Sequence, residues 1–182
     1  KIIMEIFFKK AVELHRLGKL KEAEQLYRSI LKTHPEHLDS INNLGIVLHN
    51  FSKFDEAETI YKKAIKLKSD YAEAHYNLGN TLLALKKFDE AEISYKKSIE
   101  IKPEYAEAYY NLGITLLNLD KLDESEKNLK KATTIQKSYI DQIFNSAEKL
   151  FNLKRLKQAE ILFKITIEFQ PNLSLAYGRL GI

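Results

Sequence analysis

Apolar and small residues recur along the chain at spacings of three, four and seven, within stretches of about fourteen residues. In the segment AEAHYNLGNTLLAL, Leu78 and Leu82 fall on one helical face, and in the next segment, DEAEISYKKSIEIK, Ala91 and Tyr95 do the same. Each stretch is long enough for about four helical turns. A short turn at Lys86–Lys87 separates the two. The pattern therefore predicts an antiparallel hairpin of two amphipathic helices.

Three sequence marks repeat in one register. Glycines in NNLG and YNLG motifs stand 34 residues apart, and three prolines stand 68 residues apart, which is two periods. The segments FDEAE, FDEAE and LDESE keep the same interval. A fixed period of this length indicates stacked repeats that bury their apolar faces against one another. The marks are Gly45, Gly79, Gly113, Pro35, Pro103 and Pro171, and they predict units 4–37, 38–71, 72–105, 106–139 and 140–173 with a partial unit 174–182.

The residues at fixed places in each unit resemble the tetratricopeptide repeat (TPR), which pairs two antiparallel helices. Those places hold Leu44-Gly45, Leu78-Gly79, Leu112-Gly113 and Leu180-Gly181, then Ala23, Ala57, Ala91, Ser125 and Ala159, then Tyr27, Tyr61, Tyr95, Leu129 and Phe163. Lys10, Ser146 and Thr166 depart from the family pattern in the first and fifth units. The resemblance implies an all-α fold, a right-handed α-solenoid of antiparallel helix hairpins with five full repeats plus the start of a sixth.

Composition narrows the functional classes. The chain has no Cys, which excludes disulfides, thiolate metal sites and a cysteine nucleophile. The net charge is +4, but the lysines are placed late in the second helices and are not interleaved with groove aromatics, so nucleic-acid binding is disfavoured. No apolar stretch reaches the length of a membrane span, and the opening KIIMEIFFKK does not resemble a signal peptide. A soluble, cytoplasmic protein is expected.

The first helix of each unit has a second face that points away from its partner helix. In the TPR family this face lines the inside of the superhelix, where ligands bind, so the resemblance implies a peptide-binding surface there. Its residues recur in columns 34 positions apart. The predicted site residues are Asn43, Asn77, Asn111, Asn145, Tyr76, Tyr110, Phe144, Asn80, Asn118, Asn152 and His49.

The asparagine column suits an extended peptide, because each side-chain amide offers both a donor and an acceptor to a peptide group. It is similar to the asparagine ladder in the superhelix of O-linked N-acetylglucosamine transferases. The alternative is that these asparagines only form local hydrogen bonds within the repeat.

Other ligand chemistries are less favoured. The leading column of the same face is acidic, with Glu5, Asp39, Glu73, Glu107 and Asp141. This argues against the carboxylate clamp of chaperone-binding TPR proteins, although acids in a first helical turn also simply complement the helix dipole. His34 and His37 lack enough further ligands for a metal site. No phosphate-binding, zinc-protease or serine-hydrolase motif occurs.

The sequence therefore predicts a scaffold that binds a protein or an extended peptide, with no catalysis and no cofactor. Two alternatives stay open. The chain is expected to be a fragment, and it would then serve as the substrate-recruiting arm of a larger enzyme, glycosyltransferase-like, whose catalytic domain is absent here. The partial last unit would also allow end-to-end self-association.

Overall fold

The computed structural model describes residues 2–181, which form eleven α-helices and no strand. The predicted all-α class is confirmed. No helix in this part of the chain has the length and apolar character needed to cross a membrane. The helices are α1 Ile2–Arg16, α2 Leu20–Thr33, α3 Leu38–Asn50, α4 Phe54–Leu67, α5 Ala72–Ala84, α6 Phe88–Ile101, α7 Ala106–Asn118, α8 Leu122–Ile135, α9 Tyr139–Asn152, α10 Leu156–Phe169 and α11 Ser174–Leu180.

The helices group into two compact units, Lys1–Ile101 and Lys102–Ile182. The first unit holds three hairpins, α1–α2, α3–α4 and α5–α6, and the second holds α7–α8, α9–α10 and the short α11. Within each hairpin we call the first helix A and the second helix B. The predicted solenoid of five hairpins plus the start of a sixth is confirmed. The division into single repeats of one continuous array stays a prediction.

Helices A and B pack closely because a glycine of helix A faces a large side chain of helix B. A Cβ atom added at Gly79 would lie 2.6 Å from the Tyr95 ring, and one added at Gly45 would lie 2.6 Å from the Tyr61 ring. Both tyrosines are almost fully buried. The repeated Leu-Gly motif is thus explained by contact: the ring occupies the space that a side chain on helix A would need.

Each helix A ends in the same capping turn. The N–H of Lys86 donates to the Leu83 carbonyl (3.0 Å), and the N–H of Lys87 donates to the Leu82 carbonyl (2.9 Å). These two bonds form the Schellman motif, whose penultimate residue adopts a left-handed conformation. The left-handed residues recur every 34 positions, with φ between 58° and 73°, at Gly18, Ser52, Lys86, Asp120 and Lys154. Only the first is a glycine, so the other four carry the steric cost of this conformation.

Replacing Lys86 by glycine is expected to raise the free energy of unfolding by about 0.5 kcal/mol. Relief of a left-handed side chain of about 1–2 kcal/mol is partly offset by the greater freedom of glycine in the unfolded chain. Urea denaturation followed by circular dichroism measures the change. Gly18→Ala is the matched opposite change, because no atom lies within 4 Å of the added Cβ and only the φ of 73° resists it. Destabilisation by Lys86→Gly would contradict this account of the turn.

The two histidines of the H-P-E-H segment have local roles. His37 caps α3, because its Nδ1 accepts from the N–H of Ser40 (3.3 Å) and also lies 2.8 Å from the Ser40 hydroxyl. His34 Nδ1 pairs with the Thr33 hydroxyl (2.9 Å). Among residues 2–181, no three His, Asp or Glu side chains are grouped so as to hold a metal ion.

Candidate functional site

A small cleft in the first unit brings three of the predicted site residues together. It has a volume of about 150 Å³ and lies beside helices α3, α4 and α5. His49, Asn77 and Asn80 line it, and all three are half-buried. The complete lining is Ile46, His49, Asn50, Tyr61, Asn77 and Asn80. The cleft therefore combines amide groups and an imidazole with an apolar side chain and an aromatic ring.

Asn77 is held in place by an asparagine of the preceding hairpin. Its Nδ2 donates to Oδ1 of Asn42 at 3.0 Å, which links α5 to α3. This bond fixes the orientation of the Asn77 amide, so that Nδ2 faces Asn42 and Oδ1 faces away from it. Local bonding, the alternative considered from sequence, thus occurs at this position. It occupies one of the two N–H groups and leaves Oδ1 without a donor among the described residues.

Asn80 is oriented by a buried tyrosine. The Tyr95 hydroxyl donates to Asn80 Oδ1 at 2.7 Å, and the Tyr95 side chain is fully buried. Burial raises the pKa of Tyr95, so its hydroxyl stays protonated and remains a donor throughout the physiological range. Tyr76 packs on the same ring, with 6.1 Å between ring centroids. The oxygen of the Asn80 amide therefore points to helix B.

His49 has an assigned partner for one ring nitrogen. Its Nδ1 lies 3.1 Å from the Thr81 hydroxyl oxygen, and that hydroxyl donates to the backbone carbonyl of Asn77 at 2.9 Å. Because Thr81 has a single hydroxyl proton, it accepts from His49, so Nδ1 carries the imidazole proton. The ring also packs edge-on against Phe54, with centroids 5.1 Å apart. Burial lowers the pKa of His49, so the ring is neutral at pH 7.

Asn43 lies beside the tyrosine of the first hairpin. The Tyr27 hydroxyl is buried and has no hydrogen-bond partner of normal geometry among the described residues. Burial raises the pKa of Tyr27, and the nearby Asn43 amide opposes part of that rise. Asn43 is half-buried, so its amide is in reach both of this hydroxyl and of solvent.

Aromatic residues dominate the corresponding face of the second unit. Tyr110 stacks on Tyr139 with 5.0 Å between ring centroids, and its hydroxyl lies 3.1 Å from that of Ser146. Phe144 packs edge-on against the buried Phe163, with 6.0 Å between centroids. Ser146, one of the departures from the repeat pattern, thus meets the tyrosine hydroxyl that the preceding hairpin presents.

The predicted asparagines of the second unit differ in their surroundings. Asn118 is exposed, donates to the carbonyl of Ile114 (3.0 Å) and accepts from Arg155 (3.1 Å). Asn145 and Asn152 are exposed, and Asn111 is half-buried. The structure brings no cleft of the α3–α5 kind together around these four residues in the described chain. Their place in a binding site stays a prediction.

Sequence reasoning missed the residues that hold the cleft residues in position. Asn42 orients Asn77, Thr81 orients His49, and Tyr61 lines the cleft from helix B. The sequence contains one usable signal: Thr81 has a counterpart in Thr115, 34 residues later, and both hydroxyls donate to the carbonyl four residues earlier. A threonine bonded in this way is left with an oxygen that can accept from a neighbour.

Comparison with known proteins agrees with the repeats. Four TPR family models match the chain, at residues 8–68, 52–86, 72–105 and 94–127. No curated protein sequence matches it significantly.

Several solved structures share the fold. MamA from Desulfovibrio magneticus RS-1 is 20% identical, with a TM-score of 0.76 over 93% of this chain and 96% of that one. YrrB, described as a TPR protein with an unusual peptide-binding site, is 20% identical, with a TM-score of 0.72 over 97% and 91%. The pilF protein of Pseudomonas aeruginosa is 17% identical, with a TM-score of 0.73 over 97% and 80%. Together with the matched repeats, the eleven helices show that the chain belongs to the tetratricopeptide repeat family.

Proposed function

We propose that the chain is a scaffold, without catalysis of its own, that binds protein partners by holding an extended peptide segment along the exposed faces of its A helices. The observation that carries this proposal is the cleft beside α3 and α5, where His49, Asn77 and Asn80 converge. Their polar groups are oriented by neighbouring side chains, so little ordering cost remains when a ligand arrives.

The chemistry of the face suits a peptide backbone. Amide side chains can donate to a peptide carbonyl and accept from a peptide N–H whatever the ligand's side chains are. Each such bond contributes about 0.5–1.5 kcal/mol net. Several bonds, with apolar contacts to Tyr76, Tyr110 and Phe144, are compatible with affinity of about 1 μM after the cost of ordering the peptide.

The family adds weight to a binding role, since YrrB, with the same fold, is described as having a peptide-binding site. No specific observation favours attachment to an enzyme, end-to-end self-association or a cytoplasmic location, and these stay predictions. The same holds for the exclusion of nucleic acid.

The proposal predicts that Asn77→Ala combined with Asn111→Ala weakens peptide binding about tenfold or more. The change removes one amide from each unit, and with them the hydrogen bonds to the ligand backbone. The probe is an equimolar library of short peptides with blocked ends, incubated with the immobilised protein, and the retained peptide is quantified by mass spectrometry. Thermal melting is recorded first, because loss of the Asn77–Asn42 bond also costs about 1 kcal/mol of stability.

The matched control removes two asparagines away from the A-helix faces. Asn128 lies on helix B of the fourth hairpin and donates to the carbonyl of Glu124 (2.7 Å), and Asn172 is exposed before α11. Asn128→Ala combined with Asn172→Ala is expected to retain as much peptide as the unaltered chain. Equal retention by the two double variants would remove the A-helix faces as the binding surface.

A further inference from the structure

The cleft beside α3 and α5 exposes hydrogen-bond acceptors. His49 Nδ1 is bonded to Thr81, and Nε2 has no partner among the described residues. Asn77 Nδ2 is bonded to Asn42, and its Oδ1 likewise has no donor. The Tyr27 hydroxyl is the buried side-chain polar atom of the described chain that lacks a partner, so these two atoms are open to solvent. Both residues line the same cleft.

The acceptor character of His49 follows from Thr81. The hydroxyl proton of Thr81 is used by the Asn77 carbonyl, so the proton between Thr81 and His49 comes from the ring. In the neutral ring the proton at Nδ1 leaves a lone pair at Nε2. The cleft therefore presents an imidazole nitrogen and an amide oxygen, two neutral acceptors, to whatever enters it.

The remaining lining selects against charge. No charged side chain lines the cleft, and burial is the cause of the lowered pKa of His49, from α3 itself and from the α4 and α5 groups Phe54, Tyr61 and Thr81 packed against it. A cation would lose hydration there without meeting a carboxylate, and a carboxylate would face two lone pairs. Asn50 is exposed and forms no hydrogen bond within the described chain, so its NH₂ group can donate to a carbonyl oxygen.

We propose that this cleft is a specificity pocket for a primary amide side chain, Asn or Gln, of the bound peptide. The inference rests on the proposed function, since it assigns a ligand class to one position of that surface. A primary amide has two N–H donors, which match the two acceptors, and one oxygen, which matches the donor of Asn50. A volume of about 150 Å³ is that of a cavity that holds a benzene-sized group, so a single side chain of this size fits.

Protonation gives the pocket a pH dependence with a definite sign. Below the lowered pKa of His49 the ring gains a proton at Nε2 and a positive charge, so the acceptor becomes a donor. The Asn and Gln preference is therefore present at neutral pH and declines as the pH falls toward 5. In the same range, acceptance of Asp and Glu increases, because the imidazolium attracts a carboxylate.

The test uses the full chain and a blocked peptide library in which one position is fixed in turn as Gln, Asn, Ser, Asp, Glu, Lys or Leu. At about pH 7.5, above the usual His pKa, Gln and Asn peptides are expected to be retained about three- to tenfold more than the Asp, Glu and Lys peptides. At about pH 5 this ratio is expected to fall. His49→Ala abolishes the preference, whereas His49→Gln, which keeps a neutral acceptor, preserves it and removes its pH dependence.

His15→Ala is the matched control, because His15 occupies the equivalent place 34 residues earlier, packs against Tyr27 and is half-buried, but does not line the cleft. It is expected to keep the amide preference. An unchanged preference in His49→Ala, or a preference for charged residues at neutral pH, overturns the pocket and leaves the proposed function standing. Absence of peptide retention at every position removes both.

A second measurement examines the histidine without a ligand. Long-range ¹H–¹⁵N correlation spectra of the full chain identify which imidazole nitrogen carries the proton. The expected form of His49 is protonated at Nδ1 and unprotonated at Nε2, with titration below the usual His range. A spectrum showing the proton at Nε2 overturns the assignment of an acceptor in the cleft, whether or not peptides bind.

Discussion

Replacing Gly79 by leucine is expected to lower the free energy of unfolding by about 3 kcal/mol, at the upper end of the usual cost of overpacking. Even the first added carbon would lie 2.6 Å from the Tyr95 ring, and that ring is fully buried. The α5–α6 hairpin must open to make room, which also pulls the Tyr95 hydroxyl from Asn80. Urea denaturation followed by circular dichroism measures the loss.

The chain itself supplies the control for this change. Alanine stands at the equivalent place in the first and fifth hairpins, where Ala11 and Ala147 are fully buried and helix B carries Tyr27 and Phe163. Those hairpins accommodate one extra carbon, so Gly79→Ala is expected to cost much less than Gly79→Leu. An unchanged melting temperature for Gly79→Leu would show that the close contact with Tyr95 does not limit the hairpin.

Truncating Phe163 to alanine is expected to cost about 3–5 kcal/mol, because it leaves a cavity in the core of the second unit. Phe163 is fully buried, and its ring packs between Phe144 and Phe151, with centroids 6.0 and 6.3 Å away. Stability in repeat proteins is carried by each repeat and its immediate neighbours. The loss should therefore appear first as faster amide hydrogen exchange in α9 and α10.

Exchange in α3 and α4 is expected to change less, because these helices belong to the other compact unit. Leu156→Ala is the comparison, since Leu156 lies at the start of the same helix but is 54% exposed, so truncation there should cost little. A small, uniform change in exchange after Phe163→Ala would contradict the placement of this ring at the centre of the core.

The helices and their pairing could be predicted because period and burial carry the same information. The 34-residue interval of Leu-Gly motifs marks where helix B must approach, and the structure places Tyr61 and Tyr95 against those glycines. The apolar spacing that predicted the hairpins follows directly from helical geometry. For the same reason the face opposite helix B could be identified from sequence, and three of its predicted residues line one cleft.

The capping turns and the hydrogen bonds of the cleft could not be predicted. Lys86, Asp120 and Lys154 take a left-handed conformation that sequence patterns associate with glycine, because two backbone hydrogen bonds of the turn hold them there. The bond from Asn77 to Asn42 spans two hairpins, so it depends on how neighbouring repeats stack. Periodicity specifies the face of a helix, but it does not give the rotamer or the partner of a polar side chain.

The most direct test of the proposed function follows the side-chain NH₂ resonances of individual asparagines while the peptide that the chain retains best is added. Binding along the A helices predicts that the resonances of Asn77 and Asn80 shift and saturate together, and that those of Asn128 and Asn172 stay in place. Shifts confined to Asn128 and Asn172, with Asn77 and Asn80 unmoved at saturation, would place the ligand elsewhere and contradict the account.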